Sequence, residues 1–151
     1  MAQATQLQEK VNSLFNDGKI DLFIGHGKGS LPLRTRPVFI RKAEETDKLI
    51  SNPLCSHNLA AYLGQFFIRK PVRKGEEQKF PKVGIAVRGC DLRSLALLAR
   101  ENQILRDHVV AVGIPCSGIA DIDVISEKLG SETAAGYEVG SDNTITVKTS
   151  S

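Results

Sequence analysis

Cys55, Cys90 and Cys116 are the residues whose type and placement have most to offer chemically. Two of them lie in short loops that each follow an apolar run. Arg88-Gly89-Cys90-Asp91 comes after Val83-Gly84-Ile85-Ala86-Val87, and Pro115-Cys116-Ser117-Gly118 comes after Val109 to Ile114. Thiolate is the form of cysteine that binds iron or attacks a disulfide. A thiol near a helix N-terminus feels the positive end of the helix dipole, which favours thiolate, and Arg88 and Arg93 push the same way. Buried structural cysteines would account for the pair as well, because Cys is among the most buried residue types. Neither loop has a metal-type C-x-x-C spacing. Cys55, in Asn52-Pro53-Leu54-Cys55, also precedes a helical pattern; it is either a third thiolate or a packed helix-entry residue. His26, His57 and His108 each stand alone and read as surface or core.

A second candidate is the run Gly25-His26-Gly27-Lys28-Gly29-Ser30, read as a glycine-rich loop. Backbone N–H groups around Gly27 and Gly29 could cradle an anion, with Lys28, Arg34 or Arg36 touching a phosphate. The run lacks the G-x-x-x-x-G-K-[ST] spacing and no helix follows it directly, so a dinucleotide fingerprint is not supported. A plain flexible turn explains it equally well. No Ser-His-Asp order, H-E-x-x-H or paired carboxylates stand out, which removes the common hydrolase readings.

These residues need elements to position them. Gln6 to Asn16 has Leu7, Val11, Leu14 and Phe15 at helical spacing and ends at Asp17-Gly18. Ile20 to Ile24 reads as a short strand. Arg36 to Arg41 reads as another, placed at a sheet edge or strand start by Pro37. Ala43 to Ile50 and Asn58 to Ile68 have helical patterns. Arg69 to Lys82, with its prolines and charges, reads as a linker or exposed loop. Val83 to Val87 is a buried-strand run, and Asp91 to Asn102 a helix with Leu92, Leu95, Ala96 and Ala99 on one face and Asp91 as its N-cap. Val109 to Ile114 reads as a second buried strand. Ile122 to Leu129 is a helix closed by Gly130, and Tyr137 to Lys148 alternates like a hairpin around Ser141-Asp142-Asn143. Uninterrupted apolar strands flanking a helix predict an α/β fold: an open, mainly parallel sheet with flanking helices, a central βαβ unit and a C-terminal hairpin. In such a sheet ligands bind outside the carboxyl ends of the strands. If the two strands are neighbours, about 5 Å apart, Cys90 and Cys116 project from one rim.

The chain of 151 residues fits one α/β domain, and 41% hydrophobic with 25% charged residues is the composition of a folded globular protein. A net charge of +3 and an aromatic content of 5% argue against nucleic-acid binding. No stretch reaches the apolar length of a membrane span, and Met1 to Lys10 lacks the apolar core of a secretory signal. An odd number of widely spaced cysteines does not read as a disulfide framework, so a cytoplasmic location with reduced or metal-bound thiols is expected.

Arg88-Gly89-Cys90-Asp91-Leu92-Arg93-Ser94, Glu101-Asn102-Gln103-Ile104 and Val112-Gly113-Ile114-Pro115-Cys116-Ser117-Gly118 together resemble the coenzyme F420 hydrogenase/dehydrogenase beta-subunit family. The stretch from Ile24-Gly25 to Pro37-Val38-Phe39 and Asn52-Pro53-Leu54-Cys55 are similar as well, and the resemblance spans most of Ile20 to Gly118. It implies an electron-transfer module of an anaerobic oxidoreductase complex, with a [4Fe–4S] cluster or FAD, and a partner redox subunit or ferredoxin-like protein. By the same resemblance Cys55, Cys90 and Cys116 are candidate cluster ligands. Gly27, Lys28, Gly29, Arg34 and Arg36 are then candidate flavin or nucleotide contacts, with Arg88 and Arg93 stabilising an anionic site. The chain departs from the pattern in having no C-x-x-C-x-x-C run, and three cysteines do not complete a four-thiolate site. It looks like the N-terminal part of the family's longer chains. The alternative is a non-catalytic partner-binding domain that keeps the fold without a cluster.

Overall fold

The computed structural model describes residues 2–71, 73–142 and 144–150. Three α-helices and six strands follow the order α1 (Ala2–Asn16), β1 (Leu22–Lys28), β2 (Thr35–Ile40), β3 (Val83–Val87), α2 (Gly89–Arg100), β4 (Val109–Gly113), α3 (Ile122–Leu129), β5 (Thr133–Val139) and β6 (Ile145–Ser150). Four strands form one sheet in the order β2-β1-β3-β4, and β5 and β6 form a separate two-stranded sheet. β1, β3 and β4 are parallel; β2 runs antiparallel at the edge, where the ladder tolerates Pro37. The expected open, mainly parallel sheet with its βαβ unit and terminal hairpin is therefore present.

The core forms where this sheet is covered. Leu7, Val11 and Leu14 of α1 meet Phe23, Ile24, Ile40, Ile85 and Val87 from the strands and Leu59 and Leu63 from the segment between β2 and β3. All five residues of β3 are buried, as an uninterrupted Val/Ile/Ala strand requires. Each fully buried Ile, Leu, Phe or Val contributes about 1.5–3 kcal/mol.

Several local expectations are corrected. Gly25 to Lys28 are strand, because β1 runs on to Lys28 alongside β2. Their glycines serve packing. A Cβ on Gly25 would overlap Leu49 Cδ2, and one on Gly27 would lie 2.5 Å from Val38 Cγ1. Only Gly29 to Arg34 remain as the turn, closed by Gly29 N–H donating to Arg34 O at 2.9 Å. The helical patterns over 43–50 and 58–68 are 3-10 turns at Ala43–Lys48, Leu59–Tyr62 and Gly64–Phe66. In the second segment Asn58 caps Ala60 N–H at 3.0 Å.

Helix α2 begins two residues earlier than expected, with Arg88 as its N-cap. Asp91 is the third helical residue, and its Oδ2 accepts from Arg88 N–H at 3.0 Å. That bond turns Asp91 inward and makes Asp91, Leu95, Leu98 and Ala99 the covered stripe, while Leu92 and Ala96 face out. β4 is an edge strand and only half-buried, since no further strand pairs beyond it. The terminal hairpin is longer than its alternation suggested, and Asn143 of its turn lies outside the described residues. No helix among the described residues is long and apolar enough to cross a membrane.

Candidate functional site

The carboxyl ends of the parallel strands converge with the segment 51–58, and His26, Arg88 and Asp91 are buried polar residues gathered there. Pairing fixes the rim: Val87 lies opposite Gly113, and Ile114 N–H donates to Val87 O at 2.8 Å. Cys90 and Cys116 each follow three residues behind that last pair, so the two thiols leave the same edge of the sheet from adjacent strands. Both are exposed. Cys90 occupies the first turn of α2.

Asn52 organises the segment that crosses this rim. Its Oδ1 accepts from Leu54 N–H at 2.9 Å and from the Cys55 thiol at 3.5 Å, and its Nδ2 reaches Tyr137 Oη at 3.4 Å. Ala120 N–H donates to Pro53 O at 2.8 Å, tying the loop after β4 to the same segment. Cys55 is fully buried behind it, and burial raises its thiol pKa despite the nearby Arg88 charge. Cys55 is packed in this state, and at neutral pH its thiol holds its proton.

His26 is the polar residue that sequence reasoning passed over. It projects from the carboxyl half of β1, 1% exposed. Its Nε2 donates to His57 O at 3.1 Å, because a carbonyl can only accept. Nδ1 is therefore a bare acceptor. It is buried without a donor, as is His57 Nδ1. Burial, reinforced by Arg88, lowers the His26 pKa to about 4. A histidine inside a run read as a flexible loop gave no reason to expect this.

Arg88 closes the group. The residue is 6% exposed and takes part in none of the ion pairs among the described residues, and its guanidinium nitrogens are not among the buried side-chain atoms left without a partner. Asp91 is close in sequence, but its Oδ2 is engaged by the Arg88 backbone. Arg88 instead lines a small pocket with Ser51, Asn52, Pro53 and the loop Pro115 to Gly118.

The remaining predicted contacts are placed at the same end of the sheet but not in this pocket. Lys28, Arg34 and Arg36 are exposed on the β1–β2 hairpin, where Arg36 Nε donates to Lys28 O at 3.0 Å. The N–H of Gly29 is spent on its own turn, and Gly27 lies inside the β1–β2 ladder. Arg93 is exposed on α2. Among the described residues no group of three or more His, Cys, Asp or Glu side chains is gathered to hold a metal ion. A four-thiolate cluster is thus not supplied by this chain alone.

No protein-family model matches the sequence, and no curated protein matches it. Among solved structures, a chain of the F420-reducing [NiFe] hydrogenase complex from Methanosarcina barkeri is similar, with a TM-score of 0.59 at 17% identity. The similarity covers 99% of this chain and 53% of that one, so this chain spans about half the length of its neighbour. At that identity the likeness shows a shared fold.

Proposed function

We propose that the chain is an electron-transfer module of an oxidoreductase complex, and that the carboxyl rim bearing Cys90 and Cys116 is one wall of its redox site. The observation that carries this reading is the pair of exposed thiols at the ends of adjacent parallel strands, the edge where open α/β sheets bind ligands. A fold shared with a chain of an F420-reducing hydrogenase complex supports it. The groups in question are a [4Fe–4S] cluster or FAD, and ligands from a partner redox subunit or ferredoxin-like protein would have to complete the wall. Cys55 would join as a ligand only by giving up its proton and its place beneath Asn52. Lys28, Arg34, Arg36 and Arg93, exposed at the same end of the molecule, fit contacts to an anionic cofactor or partner.

Iron and acid-labile sulfide, measured on the partner-bound protein purified without oxygen, test the reading. Substituting Cys90→Ser or Cys116→Ser should remove both. The lack of a three-ligand group within the described residues favours a second reading, a partner-binding domain without redox chemistry. It predicts iron-free protein whose cysteine variants still bind the partner.

A further inference from the structure

We propose that the loop 68–82, at the amino end of β3, is a docking surface for the acidic face of a partner protein, with Ile68 as its apolar contact. The inference does not rest on the redox reading. This end of the sheet is the one away from Cys90 and Cys116, separated from their rim by the five residues of β3, about 16 Å.

Charge singles the loop out. Arg69, Lys70, Arg73, Lys74, Lys79 and Lys82 stand against Glu76 and Glu77 alone, a net +4 where the whole chain carries +3. The rest of the molecule is therefore near neutral, at −1. All of these charged side chains are exposed, and none takes part in the ion pairs among the described residues. Positive potential concentrated in this way attracts an acidic surface and speeds its encounter.

The loop is also held in place. Phe67 is buried in the core, and its ring packs on that of Phe80 with centroids 6.1 Å apart. His108 Nδ1 donates to Phe80 O at 3.1 Å. Asp21 fixes the far end: its Oδ2 accepts from Lys82 N–H and its own N–H donates to Lys82 O, each at 2.8 Å. Above that base the Gln78 side chain clamps the outgoing chain, its Oε1 accepting from Lys70 N–H and its Nε2 donating to Ile68 O, both at 2.8 Å. Glu76 N–H donates to Arg73 O at 3.0 Å and turns the tip. Cations on a loop so fixed lose less freedom on binding than those on a free tail. Ile68, beside the clamp, is 58% exposed.

The kind of partner follows from what surrounds the cations. Side chains that stand in solvent do not enclose a small anion, so the complement is a broad surface. Glu76 and Glu77 sit among the cations, where the dense phosphates of a nucleic acid would repel them. Phe80, the one aromatic residue of the loop, is engaged with Phe67 and His108 and offers no base a stacking face. A near-neutral remainder gives a second copy of the chain no strong acidic counterpart. Carboxylates arranged around an apolar contact, as on an acidic protein surface, match this loop.

The test is calorimetric titration of the full chain, at low salt, with poly-glutamate, a glutamate–tyrosine copolymer, a DNA duplex and phosphatidylserine vesicles. The copolymer should bind most tightly of the four, and its affinity should fall as added salt screens the charges. Arg73→Glu with Lys74→Glu should weaken that binding about ten-fold. Lys10→Glu with Lys128→Glu, the same charge change at exposed positions elsewhere, should leave it within about two-fold. Ile68→Ser should erase the advantage of the copolymer over poly-glutamate. No binding of either polypeptide, tighter binding of DNA or vesicles, equal losses in the two charge pairs, or a copolymer advantage that survives Ile68→Ser would each overturn the inference. Far-UV circular dichroism separates these outcomes from misfolding. Iron content plays no part in them, so this proposal and the redox reading fail separately.

Discussion

β3 and β4 are adjacent parallel strands with similar sequences, Val-Gly-Ile-Ala-Val and Val-Val-Ala-Val-Gly, yet their fates differ. Every residue of β3 is buried, while none of β4 is. The contrast continues outward: residues up to Ile104 build one continuous core, whereas α3, β5 and β6 bury no side chain fully among the described residues. Apolar content is therefore a statement about what a strand can cover, and the neighbours decide whether it does. The covered half is a scaffold. The half-covered side presents Cys116, Ile119 and Val124 at the surface.

Substitutions can break this contrast. Phe23→Ala, in the covered half, should cost about 3–5 kcal/mol in urea unfolding, since Phe23 is 0% exposed. Val124→Ala on α3 should change stability by less than about 0.5 kcal/mol. If the two effects were equal, α3 would be packed more firmly than its 46% exposed valine indicates.

Acid sharpens the contrast from within the scaffold. The unfolded imidazole of His26 takes up a proton below pH 6.5, but the folded one does so only near pH 4. Between those values the unfolded state binds more protons, so stability rises with pH and is lost as pH falls through the window. The gap corresponds to about 3 kcal/mol. His26→Gln, whose amide can still donate to His57 O, should flatten this part of the stability–pH curve. An unchanged slope would place the acid sensitivity elsewhere.

Smaller effects are expected at the junction of the two halves. Asp91→Ala removes the acceptor for Arg88 N–H and should cost about 1–2 kcal/mol. Thiol labelling with a disulfide reagent should modify Cys90 and Cys116 in the native protein and Cys55 only after unfolding. Fast labelling of Cys55 in native protein would show that the segment 51–58 opens readily.

Much of the scaffold was legible in the residues themselves. Val83 to Val87 and Ile122 to Leu129 have the bounds their apolar runs and Gly130 imply, and Leu7, Val11 and Leu14 are the buried face of α1. The site was legible only in part. The rim position of Cys90 and Cys116 follows from strand–loop order, so their placement could be foreseen. His26 could not, because Gly25 and Gly27 signal a loop until Leu49 and Val38 are seen pressing against them. Arg88 had the same difficulty. Its charge was visible, but its burial beside Asn52, Pro53 and Cys116 was not, since these are distant in sequence. The inward turn of α2 was missed because Asp91 bonds backward to Arg88 N–H rather than capping the helix in its own right.

The most direct test of the account is iron and acid-labile sulfide content, with a visible spectrum, on the protein purified anaerobically with its partner. The account predicts a brown protein with stoichiometric iron that Cys90→Ser and Cys116→Ser each abolish, with the far-UV circular dichroism unchanged. A colourless, iron-free and flavin-free protein, still so after reconstitution with ferrous iron, sulfide and FAD in the partner's presence, would contradict it and leave the rim as a binding surface only.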